Sequence, residues 1–310
     1  MKYTFSEYRA REKKNEKLRL DLVDAYDMVK KLIQAEMTVT TQAETHSEMK
    51  KHYDNVIKGI DSNLAKLNLY VEQNLPLLVK EQYALGQYWA ALNLQSEYGI
   101  NVTRQPDSFS KIDEYAIRSV LEETFHALDS ARAGVLSNSR AIINNELNNA
   151  VLQNLISGES MKTASDKLAE RFISKGLDSI TMKNGRSMDI LHYARTKLHT
   201  ATMKAHNKGT ELLMLEDGFC YVTYSDHKTS CSKCNAVVKK GGKRNIYSID
   251  PRVTTLPDGT PVKSITELPN GGEYIHENCR HVKKPFIPEY EDISNFNTLK
   301  ENDEEKKEDA

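Results

Sequence analysis

Proline and glycine are distributed so unevenly that they divide the chain in two. Residues 1–217 contain only two prolines, Pro76 and Pro106. Residues 218–290 contain the other six, together with Gly218, Gly241, Gly242, Gly259, Gly271 and Gly272. Proline removes a helical N–H and clashes with the preceding turn, and glycine punctuates loops. The first two-thirds therefore predict helices and the last third short strands and loops. The expected fold is mainly α, with an elongated helical N-terminal region and a small C-terminal α+β unit.

Apolar periodicity places the helices. Residues 5–42 carry Leu18, Leu20, Leu22, Val23, Tyr26, Val29, Leu32 and Ile33 at near-helical spacing. A second helix is predicted over 47–69 and a third over 75–97, with Pro76 in the first turn of the third, where its missing N–H is not needed. Residues 99–109 read as a loop. Helix resumes near Ile112, with Tyr115, Val120, Leu121, Phe125 and Leu128 inward, and Gly134 is a candidate boundary. Asn144, Asn145, Asn148 and Asn149 read as a polar helical surface. Ser160 is placed to cap a helix with Met161, Ala164, Leu168 and Phe172 inward, ended by Gly176. Ser187 is placed to cap another, with Leu191, Ala194, Leu198, Ala201 and Ala205 inward, ended by Gly218.

The last third opens on a β-rich run, Phe219 to Tyr224, and Arg244 to Ile249 suggests a second strand. Pro257-Asp258-Gly259 is a turn signal between Val253-Thr254-Thr255 and Val262-Lys263, predicting a hairpin. From about Glu289 the chain turns polar and acidic and reads as disordered. The expected organisation is a helical region at 1–110, a second helical domain at 111–218, a strand-and-loop unit at 219–288 and an acidic tail at 289–310.

Cysteine usage supplies the chemistry. Four cysteines in 310 residues are too few for a disulfide scaffold. The N-terminus is charged too early for a signal peptide, and no stretch approaches the roughly 18 apolar residues of a membrane span. In a reducing compartment, Cys231-Ser-Lys-Cys234 and His276-Glu-Asn-Cys279 read first as metal knuckles. Three thiolates and one neutral imidazole make the tetrahedral shell that Zn²⁺ prefers. Cys231, Cys234, His276 and Cys279 are therefore the candidate ligands, with His281 and His227 as alternatives to His276. A shell filled by protein leaves no place for substrate or water, so the zinc would be structural and would staple the C-terminal unit. Cys220 reads as a small core residue.

Little else suggests chemistry. The sequence contains no phosphate-cradling loop, serine elbow or H-E-x-x-H helix. A zinc-braced nuclease of the His-Asn-His type needs a base histidine between its knuckles, and none lies between Cys234 and His276. His192, His199 and His206 fall about 10 Å apart on a helix, too far for one ion, and read as a polar face. A net charge of −1 argues against a general nucleic-acid binder. The cluster Lys239, Lys240, Lys243 and Arg244 leaves a zinc-knuckle nucleic-acid adaptor open, and reads otherwise as a solvated loop.

The order of these features resembles the minor capsid or head morphogenesis proteins of tailed bacteriophages, the family that includes the Mu F-like proteins. The likeness lies mainly in residues 150–287. Ala194-Arg195-Thr196-Lys197 through Asn207-Lys208-Gly209 is similar to that family's helix, and residues 157–160 to the segment before it. Tyr224 through Cys234 resembles its D-x-R-T-C-x-x-C run, with Lys228 in place of the common Arg and Ser230 inserted. Residues 246–249 resemble its following strand. His276-Glu277-Asn278-Cys279-Arg280-His281 resembles its H-P-N-C-R-C ending, with Glu277 for Pro and His281 for the last Cys. Residues 1–110 carry no such likeness. The resemblance implies a non-enzymatic protein of the phage head, assembled in the host cytoplasm. Its partners would be the portal protein and other head proteins, with phage DNA a further candidate and no membrane.

Overall fold

A computed structural model describes residues 3–38, 45–105, 108–157, 163, 167–168, 170–172, 175, 178–182, 185–227 and 231–298. Four long helices dominate it: α1 (Phe5–Met37), α2 (His46–Tyr98), α3 (Lys111–Ser157) and α4 (Ile190–Glu216). Between α3 and α4 lies the hairpin β1 (Ser179–Thr181) and β2 (Ser187–Asp189). After α4 come β3 (Tyr221–Tyr224), a short helix α5 (Ser232–Val238), β4 (Lys239–Lys240), β5 (Lys243–Asn245) and β6 (Tyr247–Ser248). The last strands are β7 (Lys263–Ser264), β8 (Lys283–Pro285) and β9 (Phe296–Asn297). The mainly α fold with a small C-terminal strand region is thus present. Among the described residues, no helix is long and apolar enough to cross a membrane.

The chain forms two compact units. One comprises residues 19–75 and 123–198; the other comprises 1–18, 76–122 and 199–310. In the first, α2 buries Met49, Tyr53, Val56, Ile60, Leu64, Leu67, Val71 and Leu75, a stripe averaging about 3.7 residues per step, close to the helical repeat. Leu22, Val23, Tyr26, Val29, Ile33 and Met37 of α1 and Leu128, Ala131, Val135 and Ile143 of α3 are buried in the same unit. Leu20 and Leu32, counted in the same apolar run of α1, are exposed. Leu168 and Phe172 are helical and buried, and Phe172 meets Tyr53 edge to face at 5.2 Å. Ser160, Met161, Ala164 and Gly176 lie outside the described residues.

Three helix boundaries differ from expectation. Pro76 does not start a helix but lies inside a single helix of 53 residues. Proline inside a helix costs about 3 kcal/mol. Val71, Leu75, Leu78 and Val79 beside it are at most 2% exposed, and burying four such side chains outweighs that cost. Gly134 does not break α3; a Cβ there would meet only the Ile180 side chain, at 3.5 Å. Ser187 does not cap α4, because residues 187–189 pair with β1. Asp189 does: its Oδ1 accepts the His192 N–H at 3.0 Å. The inward positions Leu191, Ala194, Leu198, Ala201 and Ala205 are all buried as predicted.

In the second unit, α2 and α4 cross at backbone contact. Thr210 donates its hydroxyl to the Gly86 carbonyl at 3.1 Å. A Cβ on Gly86 would lie 1.9 Å from the His206 carbonyl oxygen, and one on Gly209 would lie 2.1 Å from that of Tyr83. Only glycine permits this approach. The strands form a sheet in the order β7-β6-β3-β8 and another in the order β4-β5-β9. Arg244 to Ile249 is therefore not one strand but two, β5 and β6, in different sheets. The predicted turn closes as a small hairpin, with Leu256 N–H to Thr260 O at 2.8 Å and Val262 N–H to Thr254 O at 2.9 Å. The strands do not rely on their own core. Val222, Tyr224, Val237, Val238, Tyr247 and Ile275 share one cluster with Tyr88, Ala91 and Leu94 of α2 and Leu213 and Met214 of α4.

The segment expected to be a disordered tail from Glu289 is structured as far as Thr298. β9 pairs with β5, and Phe296 meets Phe286 at 4.7 Å. A few apolar anchors, Ile293 and Phe296, fasten an otherwise polar stretch. Residues 299–310 lie outside the described residues.

Candidate metal centre

Cys231 sits at the N-terminus of α5, and Cys234 is buried in its first turn, where the Asn235 N–H bonds the Cys231 carbonyl at 2.9 Å. The second knuckle is a tight turn. The Cys279 N–H bonds the His276 carbonyl at 3.0 Å, and Asn278 adopts a left-handed φ of 63° that asparagine tolerates. The two turns face each other. His276 Nε2 lies 3.3 Å from Cys231 Sγ and 2.9 Å from Cys234 Sγ, and Cys234 Sγ lies 4.0 Å from Cys279 Sγ.

A fifth donor is present. His281 Nδ1 lies 3.3 Å from Cys279 Sγ. The donors thus form two groups that share Cys234. One is Cys231, Cys234 and His276; the other is Cys234, Cys279 and His281; within each group the donor atoms lie within 4.8 Å of one another. Sulfur and imidazole at these separations can hold a metal ion. The environment of Cys234 shows why a cation suits it. Burial and the neighbouring thiols of Cys279 and Cys231 push its thiol up to about 12. A divalent ion reverses that penalty, since it draws thiolates to itself.

The two histidines differ in orientation. His276 Nδ1 meets the Glu277 carbonyl at 2.6 Å, which fixes its proton there and leaves the Nε2 lone pair facing the sulfurs. His281 Nε2 is buried without a partner among the described residues, and burial, reinforced by His227, lowers its pKa to about 4. His227, the other alternative, directs Nε2 at the Arg280 carbonyl and the Ser225 hydroxyl, both at 3.0 Å. It belongs to neither donor group. Cys220 is half-exposed, not a core residue.

One face of α4 holds the second knuckle. His199 Nε2 lies 3.0 Å from the Cys279 carbonyl. Asn207, fully buried, donates to the Glu273 carbonyl at 3.0 Å and accepts the Lys283 N–H at 2.9 Å. Lys204 and Lys208 pair with Glu273 at 3.3 and 3.1 Å. The Lys283 ammonium is fully buried against Glu211; burial lowers its pKa and Glu211 opposes that shift. The histidine spacing of seven read as a solvated or packed polar face, and the packed form is present: His206 is buried and His199 supports the knuckle. Asn207→Ala should therefore leave the buried Lys283 N–H and the half-buried Glu273 carbonyl without this partner. It is expected to destabilise the chain by about 2–4 kcal/mol and weaken metal retention, as measured by denaturation and by a chelator competition.

The basic cluster is largely engaged within the protein. Lys239 pairs with Asp226 at 3.1 Å, Lys243 donates to the Ser294 carbonyl at 2.7 Å, and Arg244 stacks 5.4 Å from the Phe296 ring centre. The four asparagines of α3 are exposed, as a polar surface requires.

Among curated proteins and solved structures, nothing matches this chain. A family model does: phage minor capsid protein 2, over residues 17–310. The match takes in most of the N-terminal helical region, where the sequence itself carried no recognisable likeness. With its knuckled C-terminal region and its helices covered by one family from residue 17 onward, the chain belongs to the phage minor capsid protein 2 family.

Proposed function

We propose that this protein is a non-enzymatic building component of the phage head, located near the portal, in which Cys231, Cys234, His276 and Cys279 hold one structural zinc ion. The family supports a structural role in the head, and with it a place in the virion reached through assembly in the host cytoplasm. The observation that carries the reading is the donor arrangement: two knuckles face each other, and the imidazole that joins them is already oriented by the Glu277 carbonyl. When bound, zinc would cross-link the knuckles. Cys231 and Cys234 would tie α5 to the turn at 276–279, and α4 would hold that turn in place.

The portal and other head proteins are the proposed partners. A role in DNA packaging or exit follows from that location, not from a basic face, since Lys239, Lys243 and Arg244 already have partners within the chain. A nuclease reading lacks its base, because no histidine separates Cys234 from His276 and the nearby His281 is buried. Purified protein is expected to co-sediment with portal-containing heads and to leave plasmid DNA intact in Mg²⁺ or Mn²⁺. Failure to bind heads, or DNA cleavage lost on mutating His276, would overturn the proposal.

A further inference from the structure

The first unit exposes apolar side chains in one place that its own core does not use. Met28 is 65% exposed and Leu32 42% on α1, and Tyr70 is 37% exposed on α2. Between the two helices runs a groove of about 430 Å³, lined by Asp21, Asp24, Ala25, Met28, Val29 and Leu32 from α1 and by Asn63, Lys66, Leu67 and Tyr70 from α2. Its floor is apolar and its two rims carry opposite charge. Asp21 and Asp24 stand on the α1 side and Lys66 on the α2 side, and all three are exposed. None of them forms an ion pair among the described residues.

We infer that the groove is a contact between two copies of this chain. The argument is charge complementarity under symmetry. A two-fold axis laid along the groove carries α1 of one copy over α2 of the other. Each acidic rim then faces the partner's basic rim, so Asp21 and Asp24 meet Lys66 twice, once on each side. Met28, Leu32 and Tyr70 of both copies fill the space between, which removes the exposed apolar surface from water. A basic amphipathic helix would satisfy Asp21 and Asp24 but would leave Lys66 facing like charge. Ten residues line the groove, fewer than the roughly 20–30 a side of a stable interface. The dimer is accordingly weak, and forms where copies are concentrated.

Sedimentation equilibrium of the full chain, from micromolar to about millimolar concentration, tests this. The wild type is expected to show a concentration-dependent monomer–dimer equilibrium, and Met28→Asp is expected to abolish it with an unchanged helical spectrum. Asp24→Lys and Lys66→Asp should each weaken the dimer roughly tenfold or more, since each reverses two symmetric contacts. The Asp24→Lys/Lys66→Asp double variant should restore it. The inference is overturned if the chain stays monomeric throughout, if the dimer survives Met28→Asp, or if the double variant fails to recover association. None of these outcomes depends on the metal or on head binding.

Discussion

Replacing Cys234 with serine should strip the chain of its metal and loosen residues 231–283, while the long helices persist. Cys234 is the donor common to both groups, so its loss leaves neither intact. The binding free energy of a structural zinc, about 10 kcal/mol or more, becomes folding free energy for the segment it cross-links. The expected readouts are metal content falling from about one ion per chain to near zero and new protease cuts between β3 and β8. The far-UV spectrum, dominated by α1 to α4, should change little. Chelation of the wild type should give the same pattern. Cys220→Ser serves as the control; Cys220 belongs to neither donor group and should retain full metal. Undiminished metal in Cys234→Ser would contradict the proposed ligand set.

Adding one methyl group at the helix crossing should be nearly as disruptive. Alanine in place of glycine usually stabilises a helix by about 0.5–1 kcal/mol. At Gly86 and Gly209 the sign should invert. The new Cβ would lie 1.9 or 2.1 Å from a backbone carbonyl oxygen, and no side-chain rotation relieves a backbone clash. The helices must separate, which also breaks the Thr210 bond to Gly86. A loss of about 3 kcal/mol is expected for either substitution, measured by denaturant titration. Gly134→Ala provides the internal comparison. Its Cβ would make only an ordinary 3.5 Å contact with Ile180, so it should be neutral or stabilising. Equal behaviour at all three positions would refute the close crossing.

The sequence was most informative where a local rule acts alone. The uneven placement of proline and glycine separated helices from strands, and the repeated two-residue gap located both knuckles. It was least informative where tertiary burial overrides a local preference. Pro76 carries a helix-start signal, yet the buried leucines and valines around it keep α2 unbroken. Leu20 and Leu32 look like core in a periodicity count and lie on the surface. Nothing in a single sequence distinguishes Gly86 and Gly209 from tolerated helical glycines, because the requirement comes from a second helix. His281 was partly legible, two residues beyond Cys279. Its ring meets that sulfur because the chain turns directly into β8.

The buried Lys283–Glu211 pair has a consequence for how β8 is aligned. Two adjacent lysines, Lys283 and Lys284, give the strand no hydrophobic pattern that would choose which of them faces inward. Shifting a strand by one residue turns every side chain to the opposite face. Shifted so that Val282 stands opposite Tyr224, the strand would take Lys283 from the Glu211 carboxylate and leave it only Lys208 at 3.8 Å, and losing a buried pair in this way costs up to about 3–5 kcal/mol. Shifted the other way, Pro285, which has no N–H to donate, would stand opposite Thr223 where Lys284 pairs. Glu211 and Pro285 together therefore admit β8 in one phase, with Lys283 opposite Tyr224. Cys279 precedes Lys283 by only four residues on the same continuous run. The position of its sulfur opposite Cys234 is thus inherited from a strand register that residues outside the donor set select.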